Sequence, residues 1–325
     1  MAKHPTLVPP PPLNPSKSAI ENVLELTELG AIAPDVFSNT RALWHPPGAR
    51  GIYGGAVIAQ CLAAAQRTVP ENFLVHSMHC YFVLAGDSEI PVMYFVERVR
   101  EGRSFATRTV QARQRGKAIF TTTLSFTREN SGGRKTLTHA VPRPEGLQKP
   151  EDDGAEMGSG TSPFVSRQVE ILNKDSAHPH EKKTRQWIKA RGSISDEGGH
   201  QAHLSALAYM SDSYFIGTVS RIHPLYRRDD TDNSLDKPQS GRENPQGLPE
   251  IGMMVSLDHS IYFHEPRGFR ADEWMFSEMT SPWSGDGRGV VQQHMFSADG
   301  TLVATCFQEG VVRLKEPEAP VGAKL

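Results

Sequence analysis

The feature that most limits the fold of this chain is that it repeats itself. Around Tyr81-Phe82 the sequence reads VHSMHCYF, and around Tyr262-Phe263 it reads VSLDHSIYF, with the two tyrosines 181 residues apart. Glu97 meets Glu278 at the same separation. Further on, RGKAIFTTTLSF from Arg115 aligns with DGTLVATCFQEG from Asp299, Gly116 falling on Gly300 at a separation of 184. A chain of 325 residues has room for two domains. Separations of this size make them two copies of one unit, a pseudo-dimer within one polypeptide.

Each copy begins with a helix candidate. Gly54-Gly55 opens Ala56 to Val69, where Val57, Ile58, Cys61, Leu62 and Ala65 recur at helical spacing. In the second copy Leu204, Leu207, Ala208, Ser211 and Phe215 do the same. Period-two segments rich in Val, Ile, Thr, Tyr and Phe follow: Met93 to Val99, Ala106 to Ala112, Lys117 to Phe126, Val255 to Phe263, Trp274 to Met279, Val290 to Phe296 and Thr301 to Arg313. Turns at Glu101-Gly102, Arg115-Gly116 and Asp299-Gly300 suit antiparallel hairpins. Each half is therefore one helix and an antiparallel sheet that covers it.

The remainder is polar or irregular, which accounts for 24 prolines. Residues 1–17 carry the run Pro9 to Pro12, lack an apolar leader segment and read as a mostly disordered arm. Glu129 to Ser162 reads as an interdomain linker and Arg227 to Gly247 as a surface insertion; neither is expected to form a packed element. No stretch approaches the ~18 apolar residues of a membrane span. Thirty-five basic against 37 acidic side chains leave a net charge of -2, which gives nucleic acid or an anionic membrane no whole-molecule attraction. Three widely spaced cysteines, Cys61, Cys80 and Cys306, argue against a disulfide framework and a zinc site. Ala323-Lys324-Leu325 is one small-for-small change from the Ser-Lys-Leu peroxisomal address; the alternative is coincidence.

Three polar residues break the apolar pattern. Asp212 lies four residues after Ala208 and three before Phe215, on or beside the buried stripe, where an isolated carboxylate is costly. Gln308 shares a strand face with Leu302, Ala304 and Cys306, where its amide needs specific partners. Ser256 shares a face with Asp258 and Ser260. Each has a structural reading as well: an Asp bonded to nearby backbone, a Gln at a frayed strand end beside Gly310, an ordinary strand serine. Gly102-Arg103-Ser104-Phe105-Ala106 imitates a nucleophile elbow but sits at a hairpin. Gly285 to Gly289 precedes a strand, which fails a phosphate-loop reading, and His178 and His180 lie in a polar stretch without metal-binding spacing. Of the basic run Arg98 to Lys117, most reads as a solvated strand face, with one or two positions available to phosphate.

Taken together, GGAVIAQ from Gly54, VHSMHCYFVLAGD from Val75, VREGRSFATRTV from Val99, AYMSDSYF from Ala208, VSLDHSIYFH from Val255, TSPWSGDGRG from Thr280 and CFQEGVVR from Cys306 resemble the type II acyl-CoA thioesterases. The resemblance covers about residues 20–128 and 165–315. It implies an α+β double hotdog, two antiparallel sheets each wrapped around a long helix, with hotdog units at 18–128 and 163–317 and a tail at 318–325. It implies hydrolysis of acyl-CoA to free acid and CoA without cofactor or metal. The family's catalytic trio falls on Asp212, Ser256 and Gln308, which implies that Asp212 activates a water held by the other two. Candidate substrate contacts are Gly54, Gly55, Arg103 and Arg288. Peroxisomal members carry a C-terminal address, so the resemblance also implies a peroxisomal location and an import receptor that reads Ala323-Lys324-Leu325; a homo-oligomer is a further expectation.

At the repeat separations Gln308 falls on Leu124 and Ser256 on Val75, so the first half lacks the trio and a single site is expected. The competing readings are covalent catalysis through Ser256, a hotdog enoyl-CoA hydratase and a non-catalytic acyl-CoA-binding or scaffold protein. A hydratase needs a paired Asp and His on one loop; Asp258 and His259 are adjacent in a strand and point to opposite faces.

Overall fold

The computed structural model describes residues 9–46, 51–151, 160–225 and 247–316. The expected address at 323–325 and all of the expected insertion except Gly247 lie outside the described residues.

Ser18 caps a first short helix, α1 (Ala19–Leu24), in a reciprocal capping box with Glu21. β1 (Leu26–Glu28) and β2 (Val36–Asn39) follow, then helix α2 (Gly54–Gln66) and strands β3 (Phe73–Phe82), β4 (Met93–Glu101), β5 (Phe105–Gln114) and β6 (Lys117–Arg128). The second half supplies β7 (Phe164–Leu172), β8 (Lys183–Ala190), α3 (Gly199–Met210), α4 (Gly217–Arg221), β9 (Ile251–Ser256), β10 (Asp258–Phe263), β11 (Met275–Gly285), β12 (Arg288–Phe296) and β13 (Leu302–Leu314). Tight connections do the local work. Arg115 and Gly116 both take left-handed backbone (φ 49° and 74°), the conformation that closes a two-residue hairpin between twisted strands.

The expected two sheets are one. All thirteen strands form a continuous antiparallel sheet of order β1-β2-β4-β5-β6-β3-β10-β13-β12-β11-β8-β7, with β9 on the far end of β13. The second half of that order mirrors the first, and the seam is the β3–β10 pair. There Ser260 stands opposite His79, and the two side chains hydrogen-bond at 2.9 Å across a separation of 181 residues. That is the repeat separation, so these two repeat counterparts face each other and the pseudo-two-fold axis passes between them. Fusing the sheets this way pairs two strand edges that would otherwise be exposed.

Both central helices are buried along nearly their whole length, pack against each other and share one core with strands of both halves. α2 contributes Ile58 and Leu62, each worth about 1.5–3 kcal/mol of burial. A smaller cluster of Val165, Trp187, Trp274, Phe276 and Phe296 packs with Leu147 of the linker. Arg143 in the same linker donates to the Ala298 carbonyl at 3.0 Å. The linker thus has no helix or strand among its described residues but is pinned to the second half. Residues 9–17, expected to be disordered, are likewise tied down: Pro12 accepts from Arg41, and Asn14 exchanges hydrogen bonds with Asn22.

Candidate active site

The second helix is shorter than its apolar stripe. α3 stops at Met210 because the chain turns over 211–216, where Tyr214 has φ 54°. Asp212 therefore sits in the turn just past the helix end. Its side chain is only 9% exposed and points at the start of α2. α2 has no side-chain cap of its own. Instead the Gly55 N–H donates to the Asp212 carboxylate, so the positive end of one helix holds an anion delivered by the end of the other. A Cβ at Gly54 would lie 2.6 Å from Asp212 Oδ2, and one at Gly55 would lie 2.2 Å from the Tyr209 carbonyl. Glycine at both positions is what allows the approach.

Gln308 closes the other side. It is 1% exposed on β13, and its Nε2 donates to Asp212 Oδ1 at 2.8 Å. Burial pushes the Asp212 carboxyl up to about 6, against the opposing pull of the Gln308 and Gly55 hydrogen bonds. Asp212 is thus a carboxylate that exchanges its proton close to neutrality.

Asp212 forms part of the wall of a cavity of about 630 Å³ with Ser256, and the rest of the lining is mostly apolar: Ile52, Val57, Phe82, Leu84, Ile119, Phe120, Val255 and Leu257 among others. The expected strand Val255 to Phe263 bends at Leu257, whose N–H donates to the Glu309 carbonyl and whose own carbonyl accepts from Phe82. The residues leading up to the bend, Met254 to Leu257, line the cavity. Ser256 makes no hydrogen bond with Asp212 or Gln308. A larger hollow of about 770 Å³ beside Val169 to Asp175 lies on the outer strand β7 and holds none of the expected site residues.

Of the expected substrate contacts, Gly54 lines the cavity and Gly55 donates to Asp212. The two arginines do not join them. Arg103 occupies the β4–β5 hairpin, and β5 runs from there past Phe105 opposite Thr127 to Ala112 opposite Phe120; only the Phe120 end reaches the cavity. Arg288 is committed to Glu309 at 2.8 Å and lies over the Trp283 ring.

Sequence reasoning missed His259. It is fully buried, with Nδ1 3.0 Å from Gln308 Nε2 and 3.9 Å from Asp212 Oδ1, and Nε2 3.0 Å from Ser211 Oγ. Burial pulls its pKa down to about 3, so the ring is neutral. The signal was present: a histidine alternating with Leu257 and Ile261 on the inward face of a strand.

The first half holds the same positions with different chemistry. Thr68 lies two residues past the end of α2, as Asp212 does past α3, and Leu124 stands where the repeat places Gln308. Arg108, opposite Leu124, is fully buried and donates to both Thr68 Oγ1 and the Thr68 carbonyl at 2.8 Å. A guanidinium fills the place that a carboxylate and an amide occupy in the second half.

Family models for the acyl-CoA thioesterase N-terminal domain and C-terminal domain match residues 41–127 and 143–312. The chain belongs to the acyl-CoA thioesterase family. It is a thioester hydrolase of the double-hotdog class. Acyl-coenzyme A thioesterase 8 of Mus musculus is 37% identical over 297 residues, 85% of this chain and 84% of that one. Peroxisomal acyl-coenzyme A thioester hydrolase 1 of Saccharomyces cerevisiae is 26% identical, covering 92% of this thioesterase and 97% of the yeast protein. The crystal structure of acyl-CoA thioesterase II TesB2 from Mycobacterium marinum superposes with a TM-score of 0.68 at 30% identity, over 93% of this chain and all of that one.

Proposed function

We propose that this thioesterase hydrolyses fatty acyl-CoA by direct attack of water, with Asp212 as general base and Ser256 and Gln308 as its polar partners. The carrying observation is the Asp212 carboxylate, clamped between the Gln308 amide and the N-terminus of α2 in the wall of an otherwise apolar cavity. The apolar lining accepts an acyl chain and keeps the reacting carbonyl away from bulk water. Gln308 engages Oδ1, and Oδ2 beside Gly54, which the amide does not hold, is the oxygen we assign to take a proton from water. Ser256 offers its hydroxyl from the lining of the same cavity. With the Gly55 N–H given to Asp212 and the Ala56 N–H to the Tyr53 carbonyl, the Gly54 N–H is the backbone donor at the start of α2 that we assign to the developing oxyanion. Covalent catalysis through Ser256 lacks a base: its hydroxyl has no hydrogen bond to Asp212, and both His259 nitrogens are engaged elsewhere.

General-base catalysis contributes roughly 10² to 10⁴ in rate. Asp212→Asn is expected to lower kcat by that factor with little change in KM, read as thiol release from a panel of short, medium, long and branched acyl-CoAs. Near-normal turnover overturns the assignment. We also place the protein in the peroxisome, where the name of its yeast relative puts that protein. A fluorescent fusion that keeps the C-terminus free is expected to be punctate, and diffuse when residues 323–325 are removed.

A further inference from the structure

Gln308 has two N–H bonds on Nε2 and one carbonyl oxygen, and which of them faces Asp212 decides whether the carboxylate is supported or repelled. While Asp212 is ionised it only accepts, so Nε2 faces it at 2.8 Å. A general base is protonated during each turnover, and a protonated carboxyl donates as readily as it accepts. At that moment Asp212 no longer dictates the amide. An unrestrained Gln308 would rotate its oxygen toward Asp212 and trap the proton there.

His259 removes that freedom. Its Nδ1 lies 3.0 Å from the same Gln308 Nε2, and a neutral ring must accept there because Nε2 of an amide can only donate. The ring proton is then on His259 Nε2, which donates to Ser211 Oγ at 3.0 Å, and the Ser211 hydroxyl in turn donates to the Ala208 carbonyl at 3.0 Å. The chain of donors runs one way and ends on the backbone of α3. Phe215 packs edge-on against the ring with centroids 5.3 Å apart, which holds its plane. Among the described residues, Asp212 Oδ1 lies 3.9 Å from Nδ1, and Cys80, opposite His259 in the sheet, gives its thiol to the His259 carbonyl rather than to the ring.

We propose that His259 is a positioning residue: fixed as the Nε2–H tautomer by Ser211, it keeps the Gln308 amide turned with Nε2 toward Asp212 throughout the proton cycle. The role rests on Asp212 being the base. His259 itself takes no proton.

The test combines kinetics with spectroscopy of the unmodified enzyme. His259→Leu removes the acceptor and is expected to lower kcat by about 10²-fold with KM little changed, the scale of a misplaced positioning group. The acidic limb of the kcat/KM profile is expected to move to higher pH, because the Gln308 donor that holds the Asp212 pKa down is no longer fixed. His259→Asn, which can present an amide oxygen near the Nδ1 position, is expected to recover both readouts in part. Loss of active protein alone lowers the profile without moving its limb, so a reduced rate with an unmoved limb overturns the proposal. Nitrogen-15 NMR of the wild-type enzyme near pH 7 is expected to show an unprotonated Nδ1 and a protonated Nε2 at His259; the opposite tautomer or a cationic ring overturns it even if His259→Leu does not fold. Full activity in Asp212→Asn brings down the base assignment and this role together, whereas an inactive Asp212→Asn with an unmoved His259→Leu limb brings down this role alone.

Discussion

Asp212 is a residue the protein holds at a cost. Its folded pKa of about 6 lies above the ordinary 3.8, so the folded state binds the proton more tightly than the unfolded chain does. Whatever stability this group contributes is therefore complete below about pH 4 and is lost as pH rises through 6. A shift from 3.8 to about 6 corresponds to at most about 3 kcal/mol of penalty for the ionised form. Asn at this position keeps one acceptor oxygen in place of two and removes the buried charge. Asp212→Asn is expected to be about 1–3 kcal/mol more stable than wild type near pH 8, with the difference shrinking near pH 4. Urea unfolding at the two pH values measures it, and a less stable variant at pH 8 would mean that the two donors outweigh burial. The same titration orders activity in the opposite sense: a base must be ionised, so kcat/KM is expected to rise through about pH 6 and level off above it.

At the scale of elements, the meeting of α2's first turn with α3's last decides how tightly the site can be built. Alanine normally favours a helix over glycine by ~1 kcal/mol. Here a Cβ at Gly55 would press to 2.2 Å on the Tyr209 carbonyl, which is backbone and cannot swing aside. Gly55→Ala is expected to destabilise by about 1–3 kcal/mol, the usual cost of overpacking, visible as a lower Tm. At Gly54 the added carbon meets Asp212 Oδ2 and the Phe82 ring, so Gly54→Ala is expected to lower kcat more than it lowers Tm. These elements were readable to different degrees. The helices and central strands announce themselves because each buries one face at a regular period, and Asp212 and Gln308 stand out as polar interruptions of it. The outer strands β1, β2, β7 and β8 escape that reading: β7 begins with four consecutive buried residues and shows no clean alternation. His259 is hard to read because the polar face of its strand is the one with Ser256, Asp258 and Ser260, and the Asp258 carboxylate turns to accept the Glu309 N–H at 2.8 Å while His259 points inward. Charge alone did not say where Arg103 and Arg288 would lie, because hairpin ends are placed by strand register.

For the molecule as a whole, a pseudo-two-fold built around His79 and Ser260 raises the question of how many sites one chain carries. A symmetric ancestor of this arrangement would have two, each formed where the last turn of one helix meets the first turn of the other. In this chain one is Asp212 with Gly54 and Gly55; the other would join Thr68 to the start of α3. Arg108 closes the second, tying Thr68 to the Glu101 carboxylate and the Arg100 carbonyl from a fully buried position. Truncating Arg108 leaves the buried Thr68 carbonyl without this donor, while the half-exposed Glu101 carboxylate is met by water, so Arg108→Ala is expected to cost about 1–3 kcal/mol of stability rather than to open a second site. The continuous sheet makes the first half indispensable whatever its own site does: β5 and β6, which carry Arg108 and Leu124, lie within the strand path that ends at the seam, so the first half must stay folded to present Gly54 and Phe82 to the other half's Asp212. A non-hydrolysable thioether analogue of an acyl-CoA is therefore expected to bind with one equivalent per chain in titration calorimetry, and Asp212→Asn is expected to keep that stoichiometry. Two equivalents of similar affinity would mean that the Arg108 side is also a working pocket.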